Sequence, residues 1–137
     1  RINLKTMPHP GFPTDMQPKM TTLLAIAQGT SIVTEGVWDN RFKYVDELHR
    51  MGAKIQVDGK VAVVEGVEQL SGAHVKALDL RAGVALVQAA LSAKGTSEIE
   101  DIHWVERGYE DLVGKLQGLG ADIRKVTIPD AAFAKNA

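Results

Sequence analysis

Two aspartates and two arginines occupy equivalent points of an internal duplication and have the side-chain chemistry of an anion-binding rim. Asp15 and Asp79 each begin an apolar segment, and Arg41 and Arg107 each close a Trp-x-x-Arg motif. We expect each of the four to lie where a helix begins, and equivalent helix starts of a pseudo-symmetric domain can face one end. Helix-start amides and guanidinium forks together bind phosphate or carboxylate groups. Arg81 follows Asp79 closely and can join this site or pair with that aspartate.

Each of these residues also has a purely structural explanation. An aspartate at a helix start is a good N-cap, and its charge suits the positive end of the helix dipole. An exposed arginine is common on any surface. A cation at a helix N-terminus nevertheless opposes the local dipole, and the same mismatch in both copies favours a bound anion. Capping and function both remain open for the aspartates.

The remaining polar motifs are weaker. The four histidines show no metal-ligand spacing, so we predict neither a metal site nor a cofactor. The Gly-Thr-Ser triplets at 29–31 and 95–97 fit a helix end followed by a strand, and no nucleotide-binding glycine motif is present. Trp38 and Trp104 precede the arginines by three residues, and we expect them to wedge into strand–helix junctions.

The duplication is offset by 64 to 68 residues, which is longer than a solenoid repeat. It predicts a supersecondary unit copied within one domain. The matched pairs are Asp15 with Asp79, 29–31 with 95–97, 38–41 with 104–107, and 51–55 with 119–123.

Hydrophobic periodicity and turn residues predict the elements of each copy. The first copy is expected to hold a helix at 16–28, a strand at 30–37, a helix at 42–51, a hairpin turning at Asp58-Gly59 between 55–57 and 61–63, and a strand at 75–78. The second is expected to hold a helix at 80–94, a strand at 96–102, a helix at 108–118 and a strand at 121–127. The predicted fold is α/β, with repeated βαβαββ-like units. Residues 1–127 would form about two units of one domain, and 128–137 an Ala-rich tail.

Composition narrows the class of protein. The chain has 137 residues, a net charge of −1, 45% apolar residues and no cysteine. Near-neutral charge argues against a nucleic-acid partner, and no apolar run is long enough to span a membrane. The lack of disulfides fits a cytoplasmic protein. Because the chain begins at Arg1 rather than Met, we expect a fragment, a processed protein or a sequence that starts within a longer one.

Five segments, in order, resemble the UDP-N-acetylglucosamine enolpyruvyl transferases (1-carboxyvinyltransferases), over roughly residues 4–126. They are Pro10–Gln17, Glu35–Phe42, Leu70–Ala73, Asp79–Gly83 and Arg107–Glu110. The resemblance implies a two-domain enzyme of six βαβαββ units forming inside-out α/β barrels, with substrates bound in the interdomain cleft. The chain would be the C-terminal part of one domain. Its partners would be UDP-N-acetylglucosamine, phosphoenolpyruvate and the missing N-terminal segment of the same enzyme.

The resemblance also implies roles for individual residues. Asp15 would contact the sugar 3-hydroxyl as candidate general base, and Val37 would supply a main-chain contact to the UDP-sugar. Arg41 and Arg107 would bind the phosphate or carboxylate of phosphoenolpyruvate. Asp79 and Arg81 would lie near the reacting centre. With Asp15 and Arg107, Asp79 completes the predicted catalytic set.

The reaction implied is enolpyruvyl transfer to the 3-hydroxyl with release of phosphate, the first committed step of peptidoglycan synthesis in the bacterial cytoplasm. The loop cysteine or aspartate of the other domain is absent, as are that domain's lysine, asparagine and arginine contacts, so we expect the chain alone to be inactive. Two alternatives stay open: a non-catalytic module that binds a phosphorylated ligand, and a folding unit with no function of its own.

Overall fold

The computed structural model describes residues 2–127, which form six short strands and five α-helices. The strands are β1 (Asn3–Lys5), β2 (Thr30–Thr34), β3 (Lys54–Asp58), β4 (Val61–Glu65), β5 (His74–Lys76) and β6 (Glu98–Glu100). The helices are α1 (Gln17–Leu24), α2 (Val45–Arg50), α3 (Leu80–Ser92), α4 (His103–Gly108) and α5 (Leu112–Gly118). The predicted tail at 128–137 lies outside the described residues. No helix within residues 2–127 is long and apolar enough to cross a membrane.

The duplication is visible as two βαβ units with parallel strands. In the first, β1 and β2 are parallel neighbours joined through α1, with Leu4 opposite Val33. In the second, β5 and β6 are parallel neighbours joined through α3, with Val75 opposite Ile99. The first sheet is extended by the β3–β4 hairpin to the order β1-β2-β4-β3, whereas the second has two strands. The predicted α/β class is therefore confirmed, and the βαβ part of the predicted unit recurs in both copies.

The closing pentapeptides of both copies form the same helix end. Gly52 and Gly120 have φ of 91° and 98°, a left-handed conformation that glycine adopts without strain. The next amide, at Ala53 or Ala121, donates to the carbonyl five residues back, at Leu48 or Leu116. This is the Schellman arrangement that ends many helices. The two pentapeptides thus match because both end a helix at a residue with positive φ.

The core lies between the helices and one face of the larger sheet. Alternation along β2 turns Ser31 and Val33 inward, and β4 contributes Ala62 and Val64. The fully buried apolar side chains from the helices include Leu48 and Leu86, and those from the connecting segments include Met51 and Leu70. Helices α1 and α3 pack against each other and so join the two copies.

Several predicted boundaries were wrong. The helix predicted at 16–28 ends at Leu24, and the hairpin turns at Gly59-Lys60 rather than Asp58-Gly59. Asp58 pairs with Val61, and positive φ at the first loop residue alone is the pattern of a type II′ turn. The strand predicted at 121–127 is absent: its counterpart β3 pairs with β4, and residues 2–127 give the second copy no such hairpin.

The sequence did not predict α4, which occupies 103–108 ahead of α5 and replaces the first part of the helix predicted at 108–118. Two glycines bring α4 close to α3. A Cβ at Gly83 would lie 2.6 Å from Val105 Cγ2, and one at Gly108 would lie 2.5 Å from both Leu80 methyl groups. This interdigitation sets the position of α4, which carries Arg107.

We therefore predict that Gly83→Ala lowers the free energy of unfolding despite its better helix propensity. Overpacking against Val105 costs about 1–3 kcal/mol, whereas the gain from replacing a helix glycine is about 1 kcal/mol. Adding Val105→Ala should recover part of the loss, because it removes the clashing methyl groups. Urea unfolding of the single and double variants gives this coupling.

Gly118→Ala is the matched control, since a Cβ there meets nothing within 4 Å. It should leave stability unchanged or raise it. Additive effects of Gly83→Ala and Val105→Ala would contradict the close packing of α3 on α4.

Candidate functional site

A cavity of about 300 Å³ opens where the two copies meet. It lies between the start of α1, the 40–44 turn and the start of α3. Three cationic side chains, Arg41, Lys43 and Arg81, line it together with Asp79. Its other lining residues are Thr14, Gln17, Pro18, Asn40, Tyr44, Leu78 and Ala82. Predicted site residues from both copies therefore share one cavity.

Asp15 does not cap a helix. It lies in a short 3-10 helix, Thr14–Met16, that precedes α1, and its side chain makes no capping hydrogen bond. Its Oδ1 instead accepts a hydrogen bond from Arg81 Nη1 at 2.8 Å, which forms an ion pair between the two copies. The Asp15 side chain is 70% exposed, so the carboxylate is open to a ligand. The capping explanation is wrong for this aspartate.

Asp79 is the N-cap of α3, and the capping explanation holds there. Its Oδ1 accepts from the amide of Ala82 at 2.8 Å, and α3 runs thirteen residues beyond it. Because Asp79 also lines the cavity, its carboxylate serves the helix and faces the same space as Arg41 and Arg81. The cap fixes the side-chain direction at the cavity wall.

The two Trp-x-x-Arg motifs make the same side-chain contact, although their backbone conformations differ. Each guanidinium carbon lies 5.6 Å from the centroid of the tryptophan ring three residues earlier. Arg41 lies in the turn before α2, after Asn40 at φ 56°, and lines the cavity. The cation–π contact limits the directions in which each guanidinium can point.

The position predicted for Arg107 was wrong. It lies in the last turn of α4 rather than at a helix start, where its charge complements the helix dipole. The chain turns at Asp101, with φ 58°, so that helix α4 starts at His103 and takes in the motif. Arg107 is exposed and does not line the cavity.

The wedge interpretation of the tryptophans was wrong for Trp38, which is 55% exposed. Trp104 is half-buried and stacks obliquely on His103 at 4.8 Å. Within residues 2–127, no group of three or more His, Cys, Asp or Glu side chains is arranged to hold a metal ion.

Val37 lies on the loop that follows β2, and its amide already donates a hydrogen bond. The Val37 and Trp38 amides each donate to Glu35 Oε2 at 3.0 Å. A main-chain contact from Val37 to a ligand would therefore use its carbonyl oxygen. This places the predicted UDP-sugar contact on a loop whose conformation depends on Glu35.

The sequence patterns did not single out Glu35, whose side chain is buried to 1% exposure. Its Oε1 accepts from Thr14 Oγ1 at 2.8 Å and from Gln17 Nε2 at 3.3 Å. The available signal was alternation: Ser31, Val33 and Glu35 share one face of the strand. A glutamate on an apolar face predicts a buried, hydrogen-bonded carboxylate.

Burial raises the pKa of Glu35, but hydrogen bonds from the Trp38 amide, Thr14, Thr6 and the Val37 amide lower it more. The net pKa lies below the ordinary value of 4.5, so the ionised form is favoured in the folded protein. Tyr44, whose hydroxyl donates to Gln17 Oε1, is buried, and burial raises its pKa.

The stability of the chain should therefore depend on pH through Glu35. A carboxyl whose pKa is lowered by folding stabilises fully above its unfolded-state pKa and loses that contribution as pH falls through the folded-state value. Glu35→Gln should lower the free energy of unfolding by about 1–3 kcal/mol at neutral pH, because buried donors lose their acceptor. The difference from the unmodified chain should shrink below pH 4.5.

Urea unfolding at several pH values measures this difference, and Glu68→Gln, at an exposed position, is the control. A constant difference between the Glu35→Gln and unmodified chains across the acid range would mean that the Glu35 carboxylate is not preferentially ionised in the folded state.

Comparison with known proteins finds relatives over most of the length of this chain. The chain is 57% identical over 125 residues to UDP-N-acetylglucosamine 1-carboxyvinyltransferase 1 of Clostridium perfringens, covering 91% of this chain and 30% of that protein. It is 52% identical to a UDP-N-acetylglucosamine 1-carboxyvinyltransferase of Desulfofundulus thermocisternus, over 99% of this chain and 58% of that protein. The chain thus spans about a third of the length of the first relative and somewhat more than half of the second.

A solved structure shows the same fold. The enolpyruvyl transferase NikO from Streptomyces tendae superposes with a TM-score of 0.85 at 38% identity, over 93% of this chain and 30% of that one. The family model for EPSP synthase (3-phosphoshikimate 1-carboxyvinyltransferase) matches residues 1–116. With the model matching most of its length and the fold shared with a solved member, the chain belongs to the enolpyruvyl transferase family.

Proposed function

We propose that this chain forms one wall of the active site of an enzyme that transfers the enolpyruvyl group of phosphoenolpyruvate to the 3-hydroxyl of UDP-N-acetylglucosamine. The observation that carries the proposal is the exposed Asp15 carboxylate, held by Arg81 beside a cavity lined by Arg41 and Lys43. An acceptor for a hydroxyl proton and a set of cations for an anionic donor thus lie together. Relatives with this name support the substrate pair.

The residue types suit the two halves of the reaction. A sugar hydroxyl is a poor nucleophile, and a carboxylate within hydrogen-bond reach typically contributes about 10²–10⁴ in rate. Asp15 takes this role in the proposal. Phosphoenolpyruvate is multiply anionic and the departing phosphate gains charge, so the guanidinium groups of Arg41 and Arg81 stabilise both. Asp79, fixed by its cap, lies beside the reacting centre.

Arg107 and Val37 do not line the cavity, and the proposal gives them roles in the assembled cleft. Arg107 would bind the phosphate or carboxylate of phosphoenolpyruvate once the cleft closes around the substrates, since closure brings peripheral groups to a site. The carbonyl of Val37 would contact the UDP-sugar. Arg107 is exposed and Val37 is half-buried, so both are accessible to a ligand.

The remaining contacts belong to other parts of the enzyme in this proposal. Residues 1–127 form the C-terminal part of one domain, with 128–137 as a tail, and a second domain completes the cleft. The activity would start peptidoglycan synthesis in the cytoplasm and so serve cell-wall growth, cell shape and division. The alternative of a non-catalytic binding module is not favoured, because a mere binder has no need of an exposed carboxylate next to the anion site.

Titration calorimetry with UDP-N-acetylglucosamine tests the shared site. The chain alone should show no binding, whereas the chain with the complementary N-terminal segment should bind, because half of the cleft comes from each piece. Phosphate release should likewise require both pieces. Turnover by the chain alone, or failure of a folded and associated mixture to bind, would contradict the proposal.

Asp15→Asn in the full-length enzyme should reduce kcat by about 10²–10⁴ while leaving UDP-sugar binding nearly intact, because the amide keeps the shape but cannot accept the hydroxyl proton. Steady-state kinetics and calorimetry measure the two effects separately. Asp46→Asn, an exposed aspartate on α2, is the matched control. Equal losses of turnover and binding would assign Asp15 a binding role and exclude it as the base.

A further inference from the structure

One buried carboxylate beside the cavity has no part in the proposed chemistry. Glu35 lies at the end of β2 with 1% of its surface exposed, and it does not line the cavity. We infer that Glu35 is a positioning residue, whose carboxylate sets the relative placement of the Asp15 turn, the Val37 loop and the main chain at Arg41. This inference rests on the proposed function of the same site.

The first link runs to Asp15. Thr14 donates its hydroxyl to Glu35 Oε1 at 2.8 Å, and it is the residue directly before Asp15. The Asp15 side chain itself is exposed and held by Arg81 of the other copy. The hydrogen bond from Thr14 therefore ties the backbone of the proposed base to the end of β2.

The second link runs to the loop that follows β2. Val37 and Trp38 donate both of their amides to Glu35 Oε2. The Trp38 ring in turn lies against the Arg41 guanidinium, 5.6 Å from ring centroid to guanidinium carbon. The same carboxylate thereby fixes the proposed main-chain contact to the UDP-sugar and the aromatic face on which Arg41 rests.

The third link passes through Gln17. Its Nε2 lies 3.3 Å from Glu35 Oε1 and 3.4 Å from the main-chain oxygen of Arg41. The hydroxyl of Tyr44 donates to Gln17 Oε1, which fixes the orientation of the amide. Gln17 is completely buried, and its hydrogen bond to Glu35 is buried with it.

The arrangement requires both carboxylate oxygens of Glu35 to accept hydrogen bonds. Two amides, a hydroxyl and a side-chain amide all direct donors at Glu35. A glutamine would keep the shape but turn its NH₂ towards one pair of donors, and that pair would have to move away. A displacement of about 1 Å at a reacting group can cost about 10²-fold in rate. The expected effect of the substitution is therefore on turnover as well as on stability.

The test compares Glu35→Gln with Glu47→Gln in the full-length enzyme. Glu47 is also buried and accepts a main-chain hydrogen bond, from the Lys76 amide at 3.1 Å, but it does not line the cavity. After correction for the folded fraction, Glu35→Gln should lower kcat by about 10²-fold and raise the KM for UDP-sugar. Glu47→Gln should lower stability alone. Equal kinetics for the two variants, or wild-type kinetics for Glu35→Gln, would overturn the inference.

Substitutions at Thr14 separate positioning from general loss of structure. Thr14→Ser keeps the donor to Glu35, so it should lose much less turnover than the isosteric Thr14→Val, which has no donor. If Glu35 acts through Thr14, adding Thr14→Val to Glu35→Gln should cause little further loss. Full turnover by Thr14→Val, or additive losses in the double variant, would remove the link to Asp15.

Failure of the proposed function gives a different result. If the wild-type enzyme transfers no enolpyruvyl group, the proposed function is contradicted, but the positioning role of Glu35 is not. Hydrogen exchange then decides the inference: Glu35→Gln should speed exchange of the Val37 and Trp38 amides and Glu47→Gln should not. Unchanged protection of these amides would overturn the positioning role.

Discussion

The packing of α1 against α3 is the interaction on which the site depends, because it brings the two copies of the repeat together. Leu24 and Ala25 of the first copy and Leu86 and Ala89 of the second are buried in one core. The amide of Gln88 adds a polar contact by donating to the Lys19 carbonyl at 3.1 Å. Neither copy contains the cavity alone. Burial of apolar helix surface, rather than the exposed ion pair, supplies the free energy that holds this junction.

The duplication yields a site because equivalent residues end up in non-equivalent surroundings. Asp79 caps α3, whereas its counterpart Asp15 lies in the 3-10 helix just before α1 and pairs with Arg81. Arg41 lines the cavity from a turn, whereas Arg107 projects from the end of a helix. What the copies share is local: the Trp–Arg contact and the left-handed glycines. The surroundings of the paired residues differ because the connecting segments differ in length and lead into different elements.

The sequence predicted the features that depend on local chemistry and on the repeat. Helix α3 follows from periodicity, and the Asp79 cap follows from the preference of helix starts for aspartate. The repeat also singled out the pentapeptides 51–55 and 119–123, whose glycines end α2 and α5 in the structure. Helix α4 was missed, because its packing depends on a close approach to Gly83 that no periodic pattern reveals. The strand expected at 121–127 failed for a related reason, since a strand requires a partner and local propensity cannot provide one.

The same distinction applies to the candidate site. Arg41, Asp79 and Arg81 were predicted from the repeat and the family resemblance, and all three line the cavity. Glu35 was not predicted, because its significance lies in donors that come from three separate places in the chain. The fold brings Thr14 and Gln17 to the end of β2, where both donate hydrogen bonds to the buried Glu35 carboxylate.

The structure also separates the two aspartates in a way that the sequence alone could not. One oxygen of Asp79 is committed to the Ala82 amide, and moving that side chain would uncap α3. Asp15 makes no such contribution to a helix, and its partner Arg81 is a long side chain that can turn from the carboxylate to an incoming anion. Arrival of a phosphate or carboxylate would then free Asp15 for a hydroxyl. The asymmetry therefore supports assigning the base to Asp15 and an orienting role to Asp79.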